Sequence, residues 1–169
     1  PTIRILLCIA LHYHRPLKQL DISNAFLHGT LDEEVYMLQP PGFTSATKPH
    51  HVCRLRKALY GLKQAPRAWY STFSKFLVTQ GFVNSYCDNS LFIKKTSTDI
   101  LNLLVYVDDI LLTGSSSLLL QELIGQMHAA FAMKELGNIS YFLGAAIQPV
   151  GANYFLSQQK YASDILLKA

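Results

Sequence analysis

Leu101-Asn102-Leu103-Leu104-Val105-Tyr106-Val107-Asp108-Asp109-Ile110-Leu111-Leu112-Thr113-Gly114 is the stretch on which the reading of this chain turns. From Leu101 to Val107 only Asn102 is polar, so the segment reads as a buried strand. Ile110 to Leu112 form a second apolar run that stops at Thr113-Gly114, and the two carboxylates between the runs mark the bend of an antiparallel hairpin. Ionised carboxylates at the hinge of an apolar hairpin carry a desolvation cost, and a hard divalent cation is the usual compensation. Asp also favours turns and tolerates left-handed backbone geometry, so an ordinary Asp-Asp turn explains the pair equally well on these residues alone.

A second clue lies upstream. Leu20-Asp21-Ile22 puts one Asp at the end of another short apolar strand, followed by Ser23-Asn24-Ala25-Phe26. Two such strands side by side bring three carboxylates together. Three hard oxygen donors suit a pair of magnesium ions holding a nucleoside triphosphate across an in-line displacement, which points to phosphoryl or nucleotidyl transfer.

Several ordered blocks extend this pattern: Gln19 to Gly29, Glu34-Val35-Tyr36-Met37 with Gln39 to Phe43, Leu59 to Tyr70, and Tyr106 to Asp109. Met133 to Gly137, Tyr141 to Gly144 and Leu156 to Tyr161 follow in order. Together they closely resemble the reverse transcriptase of copia-type LTR retrotransposons, over nearly the whole chain. That resemblance implies an RNA-directed DNA polymerase, with residues 1–169 forming its palm and part of its fingers. It also implies two magnesium ions, with manganese as a substitute. The implied partners are a primer on an RNA or DNA template, deoxynucleoside triphosphates, and the integrase and RNase H parts of a polyprotein. A cytoplasmic setting in virus-like particles, with no membrane partner, goes with it. Pro1 in place of an initiator Met, and a helical end at Lys168-Ala169, lead us to expect cuts through a longer chain at both ends.

On this reading Asp21 and Asp108 bridge the metals and Asp109 completes the acidic cluster. Asn24, Ala25 and Phe26 lie where backbone N–H groups face the triphosphate, Ala25 leaving the approach open. Phe26 matches the aromatic residue that excludes a ribose 2′-hydroxyl by size; a core Phe is the competing reading. Gly61 to Pro66 lead into a helix N-terminus, where free N–H groups favour anions. Gly61 permits close backbone approach, and Lys63 and Arg67 meet phosphates unless they are plain solvated cations. Tyr106 and the Leu143-Gly144 pair resemble the elements that contact primer and template, and Lys134 lies where a triphosphate contact is plausible.

The 169 residues are 50% hydrophobic and 15% charged, enough to bury a core within one domain. The net charge of +4 is compatible with a nucleic-acid partner. Cys8, Cys53 and Cys87 have no paired spacing, so they define neither a disulfide framework nor a zinc site, and His50-His51 beside Cys53 supply no fourth ligand. Ile5 to Leu11 is too short an apolar run to span a membrane.

Along the chain, residues 3–14 fit a buried helix ended by Arg15-Pro16, with a strand as the alternative. Leu17 to Ile22 reads as a strand delivering Asp21. Leu31 to Met37 is a turn into a short extended piece closed by Pro40-Pro41-Gly42, and residues 44–51 form a loop. Trp69, Phe73, Phe76 and Leu77 recur at helical spacing after Pro66, with Gly81 as the stop. Ser90 to Lys95 and Ile100 to Thr113 are successive antiparallel strands, turned at Thr96 to Asp99 and at the Asp pair. Leu119, Leu123, Met127 and Phe131 predict a second amphipathic helix capped by Ser115 to Ser117. Ser140 to Gln148 and Asn153 to Ser157 predict a hairpin around Val150-Gly151-Ala152, then a helix from Gln158. The expected class is α+β, a mostly antiparallel sheet with helices packed on one face and ligand received on the other. An inactive relic of such an element, or a non-catalytic nucleic-acid-binding module, remain the alternative functions.

Overall fold

The computed structural model describes residues 2–151 and 153–167. In chain order the elements are α1 (Thr2–His12), β1 (Leu17–Ile22), α2 (Ala25–His28), β2 (Thr30–Leu38), β3 (Val52–Lys57), α3 (Ala65–Thr79), β4 (Val83–Asn84), β5 (Leu91–Lys95), β6 (Ile100–Tyr106), β7 (Asp109–Gly114), α4 (Ser117–Ala130), β8 (Met133–Asn138), β9 (Tyr141–Phe142), β10 (Ala145–Val150), β11 (Asn153–Ser157) and α5 (Gln159–Leu166). They divide into two compact units, residues 1–23 with 77–169, and residues 24–76.

The larger unit is built on a six-stranded sheet in the order β4-β5-β6-β7-β1-β8, with antiparallel pairing throughout. β1 enters between β7 and β8, so the strand that carries Asp21 lies beside the one that carries Asp109. Side chains alternate across a sheet. Leu104, Leu111 and Leu17 therefore share the Asp109 face, where they form a core with Leu6, Leu7 and Ala10 of α1 and with Ile139, Phe142 and Ile147. On the other face Leu20, Ile22, Leu103, Val105, Ile110 and Leu112 are all buried. Helix α1 thus covers part of the carboxylate-bearing face, and Asp21, Asp109 and the exposed Tyr106 lie beyond that core. A three-stranded sheet, β11-β10-β9, completes the unit.

Local chemistry explains the boundaries. Helix α1 ends in a left-handed residue, His14 (φ 49), after which the Arg15 N–H donates to the Ala10 carbonyl at 2.8 Å and Pro16 prevents continuation. Gly81 (φ +83) closes α3 in the same way, with the Phe82 N–H donating to the Leu77 carbonyl at 3.0 Å. Ser116 caps α4 by accepting from the Leu119 N–H at 3.3 Å.

Four expectations are corrected. The bend of the main hairpin is Val107-Asp108, not the Asp pair, because Asp109 already pairs in the ladder with Tyr106 and Asp21. The buried stripe of α4 is Leu120, Leu123, Ile124 and Met127 rather than one starting at Leu119, and Phe131 is buried just past the helix end. Ser140 to Gln148 holds a hairpin of its own, β9 to β10, turned at Leu143-Gly144. Strands β3, β4 and β8 were not foreseen. The later turn falls at Gly151, with Ala152 outside the described residues, as are Lys168 and Ala169.

The smaller unit pairs β2 with β3 and contains α2 and the first three turns of α3. Gly29 lets α2 lie against α3: a Cβ there would fall 2.8 Å from the Trp69 nitrogen and 2.9 Å from the Ala68 carbonyl carbon.

Candidate catalytic centre

Four side chains form one row across four strands of the larger unit. Tyr106 on β6 is paired with Asp109 on β7, Asp109 with Asp21 on β1, and Asp21 with Lys134 on β8. Residues directly opposite in antiparallel strands project from the same face, so an aromatic ring, two carboxylates and an ammonium group stand side by side. Asp108 sits in the two-residue turn above this row, and its carbonyl accepts from the Ile22 N–H at 2.9 Å. That bond ties the end of β1 to the turn and keeps Asp21 beside the Asp pair. The turn stores strain, because Val107 has φ 57, a left-handed conformation that β-branched residues rarely adopt.

Charge is concentrated here. Burial pushes the Asp109 carboxyl above the ordinary Asp range, the charges of Asp108 and Asp21 push it further the same way, and a hydrogen bond from Gln19 partly opposes them. Among the described residues, no group of three or more His, Cys, Asp or Glu side chains is gathered into a ready-made metal cage. The donor set still fits a hard cation: the oxygens are all carboxylate, the charges repel one another, and magnesium normally fills much of its shell with water and phosphate oxygens.

A cleft beside the row is lined by Asp109, Gln19, Leu136, Tyr141, Leu143 and Gly144. The Leu143-Gly144 turn, expected as a primer contact, therefore shares a cleft with Asp109. Both residues have positive φ, 49 and 79, the conformation of a two-residue hairpin turn, and Leu143 is strained in it as Val107 is. Leu143 also lines a second cleft with Tyr106, itself exposed. Gln19 was missed as a site residue. The signal was available, since it lies two positions before Asp21 and so on the same face of β1.

The remaining candidates belong to the smaller unit. Asn24 is exposed, with φ 53, and precedes the four-residue helix α2. Ala25 is fully buried, so its small side chain serves packing and does not line an open approach, contrary to expectation. Phe26 is 9% exposed, and its ring lies 4.4 Å from that of Tyr60, centroid to centroid. Gly61 has φ +93 with open space where a Cβ would stand, in a turn that only glycine adopts without strain. Lys63 is exposed just before α3, and Arg67 lies in its first turn, lining a polar cleft with Asp32, Glu33 and Lys75.

Residues 1–169 match the family model described as reverse transcriptase (RNA-dependent DNA polymerase). The chain is 49% identical over 167 residues to the retrovirus-related Pol polyprotein from transposon RE2 of Arabidopsis thaliana, covering 99% of this chain and 12% of that protein. It is 42% identical over 168 residues to the Pol polyprotein from transposon TNT 1-94 of Nicotiana tabacum, covering 98% of this chain and 13% of the relative. To the putative transposon Ty5-1 protein of Saccharomyces cerevisiae it is 35% identical over 143 residues, 84% of this chain and 46% of the relative.

Proposed function

The chain belongs to the reverse transcriptase (RNA-dependent DNA polymerase) family, and on that premise we propose that it carries the polymerising centre of a copia-type Pol polyprotein. Its reaction is the addition of deoxynucleotides to a primer 3′-hydroxyl on an RNA or DNA template. The observation that carries this reading is the row Tyr106, Asp109, Asp21, Lys134, with Asp108 in the turn above it. In this assignment the larger unit is the palm and the smaller one part of the fingers. The chain spans 12% of the RE2 polyprotein, and we place it within a larger protein that also holds integrase and RNase H parts.

Reverse transcriptases use divalent metal ions. For this chain we assign two magnesium ions to Asp21, Asp108 and Asp109, because hard carboxylate oxygens are the donors present. Such ions, when bound, acidify the primer hydroxyl and neutralise charge on the departing pyrophosphate. The chain's own residues do the rest. The carboxylates fix where the reacting groups meet. Lys134, opposite Asp21 in the ladder, stands ready for a triphosphate oxygen. Tyr106 and Leu143-Gly144, which line neighbouring clefts, hold the primer end. Phe26 excludes a 2′-hydroxyl, Gly61 brings bare backbone to the nucleotide, and Lys63 adds a positive charge at the start of α3.

Primer extension by an enzyme carrying this chain, with magnesium and with chelator, tests the reading. Metal-dependent extension that disappears in Asp108→Asn supports it. A nucleic-acid-binding module would instead bind with steep salt dependence and be indifferent to the loss of Asp108.

A further inference from the structure

Gln19 is a buried polar side chain, 5% exposed, on the middle of β1. Burying an amide is costly unless its donors are bonded, and Leu or Met would fill the same place without that cost. Its Nε2 carries two N–H donors. The side chain donates to the Tyr141 backbone carbonyl at 2.9 Å, on β9. Gln19 and Asp109 also project from the same face of neighbouring strands and line one cleft, so the second N–H donor of the amide is directed to the side on which the Asp109 carboxylate stands. Tyr141 lies two residues before Leu143, where the β9–β10 turn begins, and Gln19, Asp109, Leu143 and Gly144 line one cleft. One side chain therefore bonds the strand that leads into the turn and shares a cleft with a carboxylate of the site.

We propose that Gln19 is a positioning residue that holds the Asp109 carboxylate and the Leu143-Gly144 turn in one fixed relation, so that the metal-holding end of the sheet and the primer-holding turn keep their register. The inference rests on the reading of Asp109 as a metal-holding group and of the turn as a primer contact. Its basis is geometric. β9 has only two residues and pairs with β10 alone, so the sheet that carries Asp109 does not hold it through a backbone ladder. The Gln19 amide supplies a link that the ladders lack. A carboxylate that holds a metal works best when an outer partner fixes its orientation.

The test uses a polymerase that carries this chain, with Gln19→Met and Gln19→Glu. Met matches Gln in length and removes both donors; Glu keeps the length but cannot donate when ionised. In either variant that retains the parent's thermal midpoint, the magnesium concentration for half-maximal extension rises about tenfold or more. Primer–template binding measured in excess chelator also weakens severalfold, a readout independent of metal and of turnover. A purely structural role would lower the thermal midpoint and leave both quantities unmoved in the folded enzyme. Parental values in either folded variant overturn the inference, and loss of the fold in both assigns Gln19 to stability alone and overturns it too. Asp108→Asn and Asp109→Asn run alongside keep the two ideas apart. If they leave extension intact, the site reading fails; if they abolish it while the Gln19 variants match the parent, only the role of Gln19 fails.

Discussion

Replacing Phe26 by Val separates a steric gate from a core residue, because the two roles change different quantities. The ring is 9% exposed and lies 4.4 Å from the Tyr60 ring, so its removal has a packing cost under either role. Truncating a buried aromatic and losing one ring pair costs about 2–4 kcal/mol of stability. Well below the unfolding temperature that loss hardly changes the folded fraction, and the specificity constants can be read without interference. If the ring blocks a 2′-hydroxyl, Val opens the space and ribonucleotide incorporation rises relative to deoxynucleotide by roughly 10–100-fold, the range that exclusion of one small group provides. Deoxynucleotide incorporation changes little. The assay is single-nucleotide extension with matched ribo- and deoxynucleoside triphosphates, comparing the ratio of kcat/KM values. Tyr60→Ala is the control, since it removes the same ring pair and leaves Phe26 in place. A core role lowers stability in both variants and leaves the ratio unchanged in both. An unchanged ratio in Phe26→Val refutes the gate.

Gly29→Ala should cost about 2–3 kcal/mol, because its Cβ would meet backbone atoms of Ala68 and Trp69 that cannot move cheaply; a thermal midpoint equal to the parent's would contradict this close packing. Val107→Gly should raise stability by about 1 kcal/mol in denaturant titration, since glycine adopts the left-handed conformation without strain, and a loss of stability would show the turn to be relaxed with Val. Asp109 holds its proton more tightly in the folded state than an ordinary Asp does, so its ionisation counts against the metal-free fold. That loss is absent below the unfolded Asp range, near pH 4, and develops as pH rises through the raised folded value. Asp109→Asn should therefore gain stability over the parent between about pH 4 and 7 in chelator, with a flat difference across that window as the contrary result.

Much of the framework was legible because the physics was local. The apolar runs of β1, β6 and β7, the Pro16 and Gly81 stops and the Ser116 cap are signals carried by single residues or short periods. Family resemblance to copia-type reverse transcriptases was legible for the same reason, in the ordered blocks from Gln19 to Tyr161. What escaped depended on pairing. Met133 to Asn138 is polar and mostly exposed, with no alternation to mark β8; it is a strand because β1 offers it a ladder. The bend of the main hairpin shifted by one residue for a related reason. Asp propensity favours both carboxylates in the turn, but the ladder to Asp21 draws Asp109 into the strand and forces Val107 into a conformation it disfavours. Ala25 looked open in sequence and is buried, which only tertiary packing decides. Gln19 is one of three polar residues in β1, and its partner on β9 and its cleft neighbour on β7 come from distant parts of the chain.

The central claim is that the acidic end of this sheet is a polymerising centre, and Asp108→Asn tests it most directly. The substitution keeps size and shape and removes one negative charge from the turn, so the fold should stand while the hold on divalent metal is lost. Magnesium-dependent primer extension by an enzyme carrying the chain should fall to background, with a thermal midpoint in chelator no lower than the parent's. Extension within about twofold of the parent, with metal dependence unaltered, would contradict the account.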